Sequence, residues 1–140
     1  MITATISLNK DTLNVLREQD VVVFRNRVKE YAVKIKMGLV NQTKLITAAS
    51  ELVRNMLRYA NGGQIIIEVV SRGRDNGIRL TFKDEGPGIP DIKLALTDGY
   101  STGKSLGLGL PGTKRLVNEF DIKSEVGKGT RITIIKWANG

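Results

Sequence analysis

A chain of 140 residues, 41 % of them hydrophobic, fits a single domain spanning 1–140 that can build its core without cross-links. It holds neither cysteine nor histidine, which excludes disulfides, thiol chemistry and every imidazole role, and leaves acid–base work to carboxylates. The formal charge of +8 favours acidic partners or nucleotides, but the 22 basic residues are scattered, and three Phe, three Tyr and one Trp make a poor stacking platform, so nucleic acid is disfavoured.

The first residues lack the basic start and apolar core of a signal peptide, and no apolar run approaches the roughly 18 residues of a membrane span, so no membrane association and a cytoplasmic location are expected. Ile2, Ala4, Ile6 and Leu8 alternate with Thr3, Thr5 and Ser7, which predicts a strand over 2–8 with one buried face. Asp20 reads as the N-cap of a helix carrying Val21, Phe24, Val28, Ala32 and Ile35 at helical spacing, with Gly38 as its stop. A second helix is expected from about Asn41 to Ala60, closed by Asn61-Gly62-Gly63. Gln64–Val70 and Ile78–Lys83 read as an antiparallel hairpin with Asn76-Gly77 supplying its turn.

A Gly/Pro-rich stretch from Asp84 to Gly112 follows, with at most a short helix at 91–96; a loop of that length in a compact domain is usually functional or disordered. A helix over 110–119 with Pro111 in its first turn, and a hairpin of 122–126 and 131–137 around Gly127-Lys-Gly-Thr130, complete the chain. The order strand, helix, helix, hairpin, loop, helix, hairpin lacks βαβ alternation. It predicts an α+β two-layer sandwich, a mixed and mostly antiparallel sheet with helices on one face.

Three stretches carry chemistry. Glu51 and Asn55 lie four apart on the second helix and so share a face; a carboxylate there can accept a proton and an amide oxygen can ligate Mg²⁺. Asp84, at a strand end before Gly86-Pro87-Gly88, can accept from the exocyclic amine of adenine and opposes the carbonyl of guanine. Gly103-Lys104-Ser105-Leu106-Gly107-Leu108-Gly109 leads into a helix, where backbone N–H groups and Lys104 suit phosphates, although the spacing is neither a Walker loop nor a dinucleotide fingerprint. Each stretch alone is ordinary surface structure; the three in this order describe one nucleotide pocket.

These residues resemble the ATP-binding superfamily of DNA gyrase, Hsp90, sensor histidine kinases and MutL, whose fold is the Bergerat type. Glu51-x-x-x-Asn55 looks like its N box, Asp84-x-Gly86-x-Gly88 its first glycine box, and the run through Gly107 and Gly109 its second. Gly127-Lys-Gly-Thr130 is similar to the motif whose threonine supports the adenine-binding aspartate. The resemblance implies ATP and Mg²⁺ as cofactors, with Glu51 catalytic and Asn55 the metal ligand. It places nucleotide contacts at Asn55, Asp84, Gly86, Gly88, Ile89, Gly103, Lys104, Ser105, Gly107, Leu108, Gly109 and Thr130, with 89–105 as a lid. Ser105 departs from the usual glycine of the second box, and Tyr59 stands where related N boxes carry histidine or lysine.

The size and the missing acceptor histidine point within the superfamily to stand-alone bacterial serine/threonine-protein kinases. The segments Asp84–Asp91 and Asp98–Gly112 look most like the switch kinases of the RsbT type. That implies STAS-domain scaffold or antagonist proteins of a stressosome as substrates, a PP2C-type phosphatase regulator as downstream partner, and room for a homodimer. The alternative is an anti-sigma factor that sequesters a sigma factor and phosphorylates its antagonist.

Overall fold

A computed structural model describes residues 4–97 and 109–140. Nine elements follow in chain order: β1 (Thr5–Val15), α1 (Glu18–Lys34), α2 (Leu39–Ala60), β2 (Gly63–Arg72), β3 (Asp75–Asp84), α3 (Ile92–Ala95), α4 (Leu110–Leu116), β4 (Glu119–Glu125) and β5 (Gly129–Trp137). The strands form one five-stranded sheet in the order β1-β2-β3-β5-β4. Every pair is antiparallel, so the mixed sheet allowed by the sequence is realised without a parallel step. Among the described residues, no helix is long and apolar enough to cross a membrane.

Period-2 alternation decides what faces the helices. Ile65, Ile67, Ile78, Leu80, Phe82, Ile132 and Ile134 point to one side and bury against Leu45, Ala49, Leu52, Val53 and Met56 of α2. Phe24 of α1 meets Phe82 edge to face, with ring centroids 5.8 Å apart, and fastens the first helix over the same strand. The consequence for the site is direct: α2 lies across β3 and β5, so its polar flank stands beside their ends.

Several boundaries differ from the sequence reading, each for a local reason. β1 is longer and shifted, and Ile6 and Leu8 are each 59 % exposed; a bulge between Ser7 and Asn9 resets the alternation, leaving Leu13 and Val15 as the inward residues. Asp20 is not the N-cap but the third helical residue, where its Oδ2 accepts from the N–H groups of Leu16 (2.9 Å) and Arg17 (3.1 Å). These two bonds hold its carboxyl below the ordinary aspartate value. Gly38 does not end α1, which stops at Lys34; it is the N-cap of α2. The hairpin turns at Gly73-Arg74 rather than Asn76-Gly77, because β2 and β3 stay in register to Arg72 and Asp75. α4 ends three residues early, where Asn118 joins the sheet by donating to the carbonyl of Ile135 and accepting from the N–H of Trp137.

The opposite sheet face carries charge pairs among the described residues. Glu68, 8 % exposed, takes two bonds from Arg79 at 3.0 and 2.9 Å; Arg72 bonds Glu119 and stacks on Trp137 at 4.9 Å. The hydrogen bonds from Arg79 hold the Glu68 carboxyl below its usual value, so the pair stabilises fully above the ordinary glutamate range and is lost as pH falls through the lowered one. Glu68→Ala strands the Arg79 guanidinium and should cost about 2 kcal/mol at neutral pH. Denaturant titrations at several pH values check this: the deficit should shrink in acid.

Candidate nucleotide-binding site

Between α2 and the ends of β3 and β5 lies a cavity of about 240 Å³. Met56, Phe82, Leu110 and Ile132 make apolar walls, and Asn55, Asp84 and Thr130 supply the polar groups. Few polar groups in a mostly apolar cavity is the arrangement that orients a flat heterocycle. Gly88 and Ile89 also line it.

Asp84 and Thr130 are direct cross-strand partners, one step beyond Phe82 and Ile132, so the apolar floor and its polar edge are successive rungs of one sheet face. Asp84 is divided between two tasks. Its Oδ1 accepts from the N–H groups of Gly86 (2.9 Å) and Thr130 (3.2 Å). Its Oδ2 takes no hydrogen bond among the described residues, which leaves a fixed acceptor for a ligand.

The turn after Asp84 is locked to the other hairpin. Gly88 has φ +78°, and a Cβ there would run into the carbonyl of Glu125, so this close approach admits only glycine. The N–H of Ile89 donates to Ser124 Oγ at 2.7 Å. α3 follows, capped by Asp91 accepting from the N–H of Leu94 at 3.0 Å.

The N-box pair separates by one helical turn. Asn55 lines the cavity, whereas Glu51 lies on an adjoining outer groove with Arg54, Arg115 and Gly109. Gly109 connects the two regions: its φ is +61°, and a Cβ there would lie 2.5 Å from Glu51 Oε1. Gly109→Ala therefore strains the backbone by roughly 1 kcal/mol, while the flexible carboxylate must swing away. If Glu51 does chemistry, turnover should fall about tenfold or more with little change in folding, as a displaced reacting group implies. Steady-state rates beside a melting curve check it.

The structure thus brings Asn55, Asp84, Gly86, Gly88, Ile89 and Thr130 to one place, with Glu51 and Gly109 at its margin. The expectations for Gly103, Lys104, Ser105, Gly107 and Leu108, and for residues 98–105 of the lid, lie outside the described residues. Sequence reading missed Phe82, Ile132 and Leu110 as cavity walls, although the first two sit two residues from Asp84 and Thr130 on the same strand face. It also passed over Ser124, which no local motif marks. No cluster of three or more carboxylates fit for a metal occurs among the described residues; Mg²⁺ commonly binds through few protein groups plus phosphates. The amide oxygen of Asn55 and a ligand's phosphates fit that pattern for Mg²⁺.

The model of the histidine kinase-, DNA gyrase B- and HSP90-like ATPases matches residues 40–139. The serine/threonine-protein kinase RsbT of Bacillus subtilis (strain 168) is 43 % identical over 129 residues, covering 92 % of this chain and 97 % of that protein. The anti-sigma F factor of Geobacillus stearothermophilus is 33 % identical over 99 residues, covering 67 % and 68 %. Among solved structures, the RsbU and RsbW domains of Rv1364c from Mycobacterium tuberculosis superpose with a TM-score of 0.58 at 18 % identity, over 90 % of this chain and 32 % of that one, a likeness of fold. With its α+β sandwich and a family match across residues 40–139, the chain belongs to the histidine kinase-, DNA gyrase B- and HSP90-like ATPase family.

Proposed function

We propose that this chain is a cytoplasmic ATP-dependent serine/threonine-protein kinase of a bacterial partner-switching pathway, of the RsbT type. It transfers the γ-phosphate of ATP to a serine or threonine of STAS-domain proteins and then engages a PP2C-type phosphatase regulator. The observation that carries this reading is the 43 % identity to a serine/threonine-protein kinase over nearly the full length of both chains.

The geometry supplies a consistent mechanism. Met56, Phe82 and Ile132 would hold adenine with its amine on Asp84 Oδ2, and the glycine run through Gly107 and Gly109 would hold the phosphates. Asn55 would hold Mg²⁺, which when bound neutralises charge on the phosphate oxygens. Glu51, outside the adenine cavity, faces the groove from which a protein hydroxyl approaches. It takes the hydroxyl proton as the oxygen bonds to the γ-phosphorus and the bond to the ADP oxygen breaks, so transfer rests on positioning and charge stabilisation.

The anti-sigma F relatives support a second reading, in which sequestering a sigma factor is the principal act. One experiment separates the two. The chain is used to capture partners from lysate, the complex is incubated with Mg²⁺-ATP, and phosphoserine and phosphothreonine are mapped. Labelled STAS-domain proteins support the switch kinase; a co-purified sigma subunit supports the anti-sigma factor; release of phosphate with no labelled protein overturns both for a simple ATPase.

A further inference from the structure

Three strands meet at the polar edge of the cavity: Asp84 on β3 pairs with Thr130 on β5, and Thr130 pairs with Ser124 on β4. The Ser124 hydroxyl has three neighbours. It lies 2.7 Å from the Ile89 nitrogen, 2.7 Å from Thr130 Oγ1 and 3.1 Å from the carbonyl oxygen of Gly129.

A hydroxyl has one proton to give and two lone pairs to accept with. The Ile89 N–H can only donate and so occupies one lone pair. The Gly129 carbonyl can only accept and so takes the proton. The remaining lone pair then receives the Thr130 hydroxyl proton, and this is the assignment that satisfies all three contacts. Its result lies one residue away: with its proton committed to Ser124, Thr130 Oγ1 presents lone pairs to the cavity, beside the equally acceptor-only Oδ2 of Asp84.

We propose that Ser124 is a positioning residue for base selection. By accepting the Thr130 proton it makes the cavity edge a pair of acceptors matched to an exocyclic amine and opposed to a carbonyl, and by holding Ile89 it keeps the Asp84–Ile89 turn against β4. The inference rests on reading the cavity as an adenine-nucleotide site. Without Ser124 the Thr130 hydroxyl is free to turn its proton inward and meet the carbonyl of guanine, which removes one of the two acceptor oppositions while that with Asp84 Oδ2 stays. Selectivity is therefore set partly by a side chain that never touches the base.

The test measures dissociation constants of Mg²⁺-ADP and Mg²⁺-GDP by calorimetry for the unaltered protein, Ser124→Ala, Ser124→Thr and Thr130→Val, with melting curves alongside. Ser124→Ala should weaken ADP binding several-fold and narrow the ADP-over-GDP preference by about tenfold, the scale of one well-placed hydrogen bond. Ser124→Thr, which restores the hydroxyl, should recover that preference. The double variant Ser124→Ala/Thr130→Val should narrow it no further than Thr130→Val alone, as expected when one residue acts through the other. An unchanged ADP-to-GDP ratio in Ser124→Ala overturns the inference even if the protein melts earlier, since a purely structural loss moves both nucleotides together. Failure of the unaltered protein to bind ADP overturns the adenine reading itself and the inference with it.

Discussion

Replacing Asp84 by asparagine is expected to reduce affinity for adenine nucleotides by roughly 100- to 1,000-fold, about 3–4 kcal/mol, while leaving the fold in place. The direction follows from the two oxygens of Asp84. Oδ1 accepts from the N–H groups of Gly86 and Thr130, and those two donors demand an acceptor. In Asp84→Asn the amide oxygen must take that position, which forces the amide NH₂ into the place of Oδ2. A donor then faces the adenine amine, also a donor, so the substitution replaces attraction by opposition instead of merely weakening it. Because both backbone bonds survive, the melting midpoint should move by only a few degrees, about what 1 kcal/mol does in a domain of this size. Calorimetric titration with Mg²⁺-ADP measures the affinity. Binding within a few-fold of the unaltered protein would show that Oδ2 does not meet the base.

Which oxygen takes the two hydrogen bonds that make this argument was beyond the reach of the sequence, although Asp84 itself and, through the resemblance, its support by Thr130 were not. Aspartate before Gly-x-Gly at a strand end is a local pattern, as is Glu51 four residues before Asn55 on an amphipathic helix, so the chemistry-bearing residues were legible. What the sequence conceals is lateral: which residue of β4 stands beside Thr130 and, without the resemblance, which rung of β5 stands beside Asp84. Cross-strand neighbours are fixed by register, and register depends on where each hairpin turns. At β2–β3 the attractive Asn76-Gly77 signal lost to Gly73-Arg74, since the longer ladder satisfies more backbone groups. Ile6 and Leu8 mislead for a related reason: alternation reports a buried face only while the ladder is regular, and the bulge at Ser7–Asn9 breaks it. The overall α+β sandwich survived these local differences because the helix periodicities of α1 and α2 are long and unambiguous.

Glu51→Gln should leave nucleotide affinity within about threefold and lower phosphoryl transfer at least 100-fold, the lower bound of what a positioned general base contributes. The two effects separate because Glu51 does not line the adenine cavity; it stands one helical turn from Asn55, in the outer groove against Gly109. Glutamine keeps the length and shape of the side chain, so its place beside Gly109 persists. What is lost is the ability to take a proton. Transfer to a captured partner, followed by mass spectrometry in single-turnover conditions, reads the chemical step apart from binding. Equal phosphorylation by the Glu51→Gln protein would remove the base from the mechanism and leave catalysis to positioning of the phosphates and the acceptor alone. If instead the unaltered protein releases inorganic phosphate at the same rate with and without partner, and Glu51→Gln abolishes that release, the proton Glu51 accepts comes from water. The same carboxylate in the same groove would then drive an ATPase switch, so the identity of the group that gives up its proton, and not the position of Glu51, distinguishes kinase from hydrolase.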